Sequence, residues 1–240
     1  MTTKEKIIGD CMEELPIIDK VHGVGRLWDF NLVVTDPPYN IGWKYSDKVN
    51  DKRNNYFDWC SDWIDKCIDS LRENGIICII NYPENNNILY KIMIDKGLTF
   101  IQQLIWCYPT NVGQSKRKYT RSYRTILVFS NGKDYTFNPH KQQYKNPNDK
   151  RIKERIKNGF LPNHYDIFEF NLCKNVSKSK KNNGINQLPN DLVEMLIRTY
   201  SNEEDNILDP FSGNDTVIEM AYKLKRNCVG IDINRYDQNV

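Results

Sequence analysis

Asn206-Ile-Leu-Asp-Pro-Phe-Ser-Gly-Asn-Asp-Thr216 reads as a short strand ending in an acid, a tight glycine-containing turn, and the start of a helix over Val217 to Lys225. A second strand follows, and Val229-Gly-Ile-Asp232 again ends in an acid. Strand, Gly-turn and helix form a nucleotide-type cofactor loop, in which Gly213 permits close backbone approach. It is not a phosphate loop. There is no Gly-Lys-Ser/Thr, and Asp209 with Asp215 would repel phosphate, so the turn suits a cationic or zwitterionic cofactor. Asp232 stands where a carboxylate holds ribose hydroxyls in such folds, though a strand-end cap would look the same.

Outward from this stretch, short β-branched apolar runs recur. Lys6-Ile-Ile-Gly9, Phe30 to Thr35, Gly75 to Ile80, Thr125 to Phe129, Asn206 to Leu208 and Asn227 to Gly230 are unalternated, as strands buried on both faces are. Helical spacing lies between them: Trp59, Trp63, Cys67 and Leu71 at i, i+4, then Ile88, Leu89 and Ile92. Leu192, Leu196, Ile197 and Tyr200 line a third helix, with Asn190 or Asp191 as its N-cap. Alternating strand and helix predicts an α/β fold with a doubly wound, mostly parallel sheet. Residues from about 131 break the rhythm with a polar, Asn- and Lys-rich stretch, read as an insertion.

Asp36-Pro-Pro-Tyr-Asn40 follows the strand ending at Thr35. Ligands of doubly wound sheets bind beyond the carboxyl ends of strands, which places this segment in the crevice. Pro37 and Pro38 fix the backbone and remove two donors, leaving the Asp36 carboxylate and the Pro37 carbonyl as adjacent acceptors. That pair suits an amino group with two N–H hydrogens, and Tyr39 offers a flat face for a base. The same string also makes a rigid strand-end turn with Tyr39 as packing.

Charge is unevenly spread. Between Thr110 and Lys181 stand seventeen Lys/Arg against five Asp/Glu, a surplus of twelve that leaves the rest of the chain at −9 within a net +3. A basic block in an otherwise acidic chain points to a polyanion-facing surface. The 240 residues suffice for one large domain with an insertion. Uncharged apolar runs reach about five residues, short of the roughly 20 that span a bilayer, so no membrane association is expected. Met1-Thr-Thr-Lys-Glu-Lys lacks the apolar core of a secretory signal. Seven scattered cysteines without a Cys-x-x-Cys pair argue against a metal site or disulfide framework and for a reducing cytoplasm. His22, His140 and His164 read as loop residues.

Together the two motifs resemble those of S-adenosylmethionine-dependent amino-methyltransferases acting on DNA. Their order, with Asp-Pro-Pro-Tyr first, the basic insertion next and the Asp-Pro-Phe-Ser-Gly loop last, resembles the circularly permuted β class. Gly9-Asp-Cys11 with Met12-Glu-Glu-Leu15, Trp106-Cys-Tyr-Pro-Thr110 before Arg121-Ser-Tyr-Arg124, and Gln187-Leu-Pro189 add to the likeness. The resemblance implies a Rossmann-like core in two halves, residues 1–130 and 185–240, around a target-recognition insertion at 131–184. It implies methyl transfer from S-adenosylmethionine to the N6 amino group of a flipped adenine, with N4 of cytosine as the alternative. Asp36, Pro37, Pro38 and Tyr39 would be catalytic. Asp10, Cys11, Asp209, Phe211, Gly213, Thr216 and Asp232 would form the cofactor shell. Lys116, Arg117, Lys118, Arg121, Arg124, Lys178, Lys180 and Lys181 would track phosphates of double-stranded DNA. Further implied partners are a second copy of the chain and a cognate restriction endonuclease.

One position departs from the pattern: the loop's usual second glycine is here Asp215. If the backbone needs a positive φ there, Asp is worse than Gly, though it tolerates the left-handed region better than most residues. A catalytically impaired DNA-binding homologue is therefore an alternative. An RNA methyltransferase and an NAD-dependent dehydrogenase are further rivals, and the latter lacks both Gly-x-Gly-x-x-Gly and a proton-transfer histidine near a strand end.

Overall fold

Residues 2–18, 29–43, 50–109, 116–173 and 187–233 are described by the structure, a computed structural model. Their elements in chain order are β1 (Lys4–Ile8), α1 (Cys11–Ile18), β2 (Phe30–Thr35), α2 (Tyr56–Asp69), β3 (Leu71–Asn81), α3 (Pro83–Asp95) and β4 (Thr99–Cys107). These are followed by β5 (Tyr123–Ser130), α4 (Lys150–Lys157), β6 (Ile167–Glu169), α5 (Asn190–Tyr200), β7 (Asn206–Asp209), α6 (Thr216–Lys223) and β8 (Asn227–Asp232). The strands form one sheet in the order β1-β8-β7-β2-β3-β5-β4-β6. The first five run parallel, β5 is antiparallel to both its neighbours, and β6 is parallel to β4. This is the expected doubly wound α/β sheet.

Apolar residues on both faces of the strands produce the layers. Ile76, Cys78 and Ile80 of β3 join Leu192 and Leu196 of α5 and Val217 and Ala221 of α6 in one core. Ile77 and Ile79 pack the other way, on Trp63 and Ile64 of α2 and Leu89 and Met93 of α3. Alternate side chains of a strand point to opposite faces, so an unbroken apolar run fills two cores at once.

Several boundaries differ from the sequence expectation. Leu71 continues the spacing of Trp59, Trp63 and Cys67, but α2 ends at Asp69 and Leu71 opens β3 opposite Phe30. Between Leu71 and Ile76 the strand register shifts, with Asn74 at φ 61°. An added Cβ on Gly75 would lie 3.0 Å from the Phe30 carbonyl oxygen, so the glycine there allows the strands to close up. The residue capping α5 is Pro189, not Asn190 or Asp191, which lie inside the helix. The stretch read as an insertion also contributes to the sheet: Ile167, Phe168 and Glu169 pair with Ile105, Trp106 and Cys107.

Candidate active site

The chain leaves β2 toward β3 on one side of the sheet and leaves β7 toward β8 on the other. Adjacent strands whose connections diverge open a crevice beyond their carboxyl ends. Asp36 follows β2 and Asp209 ends β7, so both motifs meet at this point. Thr35 Oγ1 donates to Asp209 Oδ1 at 3.1 Å and ties the two strand ends together. The cleft encloses about 1390 Å³, its open mouth included, and its lining takes in Asp10, Asp36, Tyr39, Arg53, Trp59, Arg124, Asp209, Gly213 and Asp232.

On the β2 side, the turn after Thr35 is braced from three elements. Tyr56 of α2 donates its hydroxyl to the Pro38 carbonyl at 2.6 Å, whereas no donor among the described residues reaches that of Pro37. Asn81, at the end of β3, donates to the Tyr56 hydroxyl at 3.2 Å, and Asn85 of α3 donates to the Tyr39 carbonyl at 3.0 Å. Tyr39 turns its hydroxyl onto Asp36 Oδ1. Its ring packs on Tyr82, centroids 4.8 Å apart, and under the Arg124 guanidinium at 4.9 Å. Burial raises the pKa of the Asp36 carboxyl, and Arg124 with the Tyr39 hydroxyl opposes that shift.

Arg124 departs from its expected role. Rather than reaching for phosphate it is 5% exposed, its NH1 lies 3.8 Å from Asp36 Oδ2, and the rings of Tyr39, Tyr82, Trp106 and Tyr108 surround it. The cause is strand pairing: β5 sets Arg124 opposite Trp106, on the face that enters the core. Burial disfavours this cation, but Tyr39 and Asp36 outweigh it and hold the guanidinium charged.

On the β7 side, the turn runs over the end of β8. Gly213 has φ 49° and Asp215 φ 64°, so both sit in the left-handed region and the departure falls where glycine would be least strained. Ser212 N donates to the Ile231 carbonyl at 2.8 Å, and Gly213 N donates to Asp232 Oδ2 at 2.9 Å. A Cβ on Gly230 would lie 2.8 Å from Ser212 Cβ, so a larger residue there would push the turn off the strand. Phe211 packs edge-on against Trp63 and tilted against Trp59. Asp10 caps the first turn of α1 through Met12 N at 2.9 Å, which places Cys11 at the cleft wall. Burial and Asp10 push the Cys11 thiol up to about 12, so it stays protonated. Thr216 opens α6 and completes this wall.

The lining carries Asp10, Asp36, Asp51, Asp209 and Asp232 against Arg53 and Arg124, a donor set suited to a cation and hostile to phosphate. Asp209 is 3% exposed, and burial lifts its carboxyl to about 8 despite the hydrogen bonds from Phe211 N and Thr35. The buried Asn214 Nδ2 has no partner among the described residues, a donor left for a ligand. These features fit a zwitterionic cofactor with a sulfonium or ammonium charge and a ribose.

The structure thus brings together Asp10, Cys11, Asp36, Pro37, Pro38, Tyr39, Asp209, Phe211, Gly213, Thr216 and Asp232 around one cleft. Lys116, Arg117 and Lys118 are exposed outside that lining, while Arg121 pairs with Glu84 and covers the Tyr82 ring. Lys178, Lys180 and Lys181 lie outside the described residues. Sequence reasoning missed Asp51, whose carboxylate accepts from Ile41 N, Gly42 N and Trp43 N and shapes the loop after Tyr39. It also missed Tyr56 and Asn85. Asn81 carried a signal, as a polar residue closing the apolar run Ile76 to Ile80. No group of three His, Cys, Asp or Glu among the described residues is arranged to hold a metal, and no helix there is long and apolar enough to cross a membrane.

A family model described as DNA methylase matches residues 30–239. Type II methyltransferase M1.MboII of Moraxella bovis is 33% identical over 242 residues, spanning 90% of this chain and 92% of that protein. DNA adenine methyltransferase YhdJ of Escherichia coli (strain K12) is 28% identical over 240 residues, spanning 96% of this chain and 79% of that protein. Among solved structures, the crystal structure of an M1.HpyAVI–SAM complex superposes with a TM-score of 0.70 at 18% identity, over 97% of this chain and 94% of that one, a likeness of fold.

Proposed function

This chain belongs to the DNA methylase family, and from that premise we propose that it methylates the N6 amino group of adenine in double-stranded DNA, with S-adenosylmethionine as donor. The observation that carries the reading is the meeting of Asp36 and Asp209 at one crevice, an amine-binding acceptor pair beside an acidic cofactor turn. S-adenosylmethionine supplies an electrophilic methyl group whose sulfur leaves as a neutral thioether. Asp10, Cys11, Asp209, Phe211, Gly213, Thr216 and Asp232 are the residues that would hold it.

The chain's own work is positioning and charge stabilisation. An amino group on an aromatic ring is a poor nucleophile because its lone pair is delocalised. The Asp36 carboxylate and the Pro37 carbonyl accept its two N–H hydrogens, favour a pyramidal nitrogen and stabilise the positive charge that grows there. The nitrogen then sheds one proton, and the Asp36 carboxylate, whose proton affinity burial raises, is the adjacent acceptor. Arg124, whose NH1 lies 3.8 Å from Asp36 Oδ2, opposes the effect of burial and favours the carboxylate form that accepts the base. The target atom is out of reach within a duplex, so the base must leave the stack; Tyr39 is the platform for it, exchanging its contact with Asp36 for the base. The aspartate form of the tetrapeptide favours adenine over cytosine, as does the likeness to YhdJ, named an adenine methyltransferase. A homodimer and a partner endonuclease belong to the same reading.

Asp36→Ala tests it. Transfer of labelled methyl to DNA should fall by at least about a hundredfold, the scale of losing one charge-stabilising group, with S-adenosylmethionine binding kept. Unchanged transfer would remove Asp36 from the reaction.

A further inference from the structure

Asp215 is a carboxylate in a turn that flanks a cationic ligand's site, at φ 64° and ψ 16°, and it makes no side-chain bond to the helix it caps. Its side chain is 3% exposed and turns away from the cleft: Gly213, Asn214 and Thr216 line the cleft and Asp215 does not. Behind the turn it meets Lys6. The lysine Nζ lies 2.7 Å from Asp215 Oδ1 and 2.8 Å from Oδ2, and Ser212 Oγ donates to Oδ1 at 3.1 Å. The same ammonium stands 3.4 Å from the Gly213 carbonyl.

Lys6 comes from the edge strand β1, held opposite Gly230 of β8. The Ser212 side chain packs over the same Gly230, where an added Cβ would lie 2.8 Å from Ser212 Cβ. A cation anchored in the sheet thus grips the turn from below, while Ile231 and Asp232 hold Ser212 N and Gly213 N along its length. The Lys6 side chain is 22% exposed and that of Asp215 3%, so the pair is half-buried; removing the lysine takes the counter-charge from a buried carboxylate, whereas removing both charges is far less harmful. A glycine at position 215 accepts the positive φ without strain.

We propose that Lys6 and Asp215 form a charge latch behind the cofactor turn, making Lys6 a positioning residue that holds residues 212–216 in the shape that binds S-adenosylmethionine. The latch rests on the cofactor reading above. Its chemistry explains how an acid in place of glycine can stand in a working cofactor loop: the charge is neutralised from the sheet and kept off the ligand.

The test is calorimetric titration of S-adenosylmethionine into the full chain, wild type, Lys6→Met, and Lys6→Met with Asp215→Gly, with melting temperatures of the ligand-free proteins. Lys6→Met should weaken binding by at least about tenfold, because the buried Asp215 carboxylate loses its lysine counter-charge and pulls the turn toward water. The double variant should return to within about threefold of wild type, since neither charge remains. Wild-type affinity in Lys6→Met, or a double variant no better than Lys6→Met, would overturn the latch. Should Lys6→Met fail to fold, recovery of folding and binding in the double variant supports the latch and failure of both variants overturns it. A wild type that binds no S-adenosylmethionine would overturn the cofactor reading and the latch's role in it. That result stays distinguishable, because melting temperatures report the Lys6–Asp215 pair without the ligand.

Discussion

Asp209 shows burial and ligand charge working against each other at a single carboxyl. Buried at the end of β7 and lifted to about 8, it is largely protonated in the free protein at neutral pH. Its folded pKa lies above the unfolded value of about 4, so ionising it opposes folding, and its contribution to stability declines as pH rises from about 4 to about 8. A cationic ligand favours the ionised form. S-adenosylmethionine affinity should therefore rise with pH until about 8 and then level off, with close to one proton released per cofactor bound at neutral pH. Titration in two buffers of different protonation enthalpy measures that release; equal apparent enthalpies in both would place the cofactor's charge elsewhere. Asp36 and Asp209 were legible in the sequence because each stands at the end of an apolar run, beside a proline-containing turn, where doubly wound sheets bind ligands. Arg124 was misread for the opposite reason. It sits in a segment rich in Lys and Arg, whose sign suggests a polyanion, and only the pairing of β5 with β4 shows that its side chain goes inward onto Asp36.

Helix α4 carries the DNA-facing expectation most visibly. Five of its eight residues are Lys or Arg, none of its residues is buried, and Asp149 caps it by accepting from Arg151 N. So short a helix is marginal without tertiary packing, and its charge suits a phosphate backbone. Replacing Lys150, Arg151, Lys153, Arg155 and Lys157 by Gln should weaken DNA binding and flatten its salt dependence, by about 0.9 in slope for each phosphate no longer neutralised, with S-adenosylmethionine binding unchanged. An unaltered slope would move the DNA-facing surface off α4. Among the core elements, α2 was legible from Trp59, Trp63 and Cys67, but spacing alone carried the pattern one turn too far, to Leu71. β4 was only partly legible, because Gln102 and Gln103 interrupt its apolar pattern. Its identity as a strand comes from pairing with β5 and β6, which no local window contains. β6, three residues long in a polar stretch, left no local signal at all.

For the whole molecule, the sheet order follows from one switch in winding direction, and that switch brings two motifs 170 residues apart to neighbouring strand ends. Two short sequence patterns could foretell the meeting because doubly wound sheets place ligands there whatever the loops contain. The network bracing the site, with Tyr56, Asn85, Asp51 and Lys6, depends on packing among elements distant in sequence and could not be foretold. The experiment that bears most directly on what this machinery does is nucleoside mass spectrometry of unmethylated duplex DNA treated with the purified chain and methyl-labelled S-adenosylmethionine. Labelled N6-methyladenine, absent from DNA treated with the Asp36→Ala variant, is the expected result. Label in N4-methylcytosine would correct the base, and no label in DNA would contradict the assignment of this site to DNA methyl transfer.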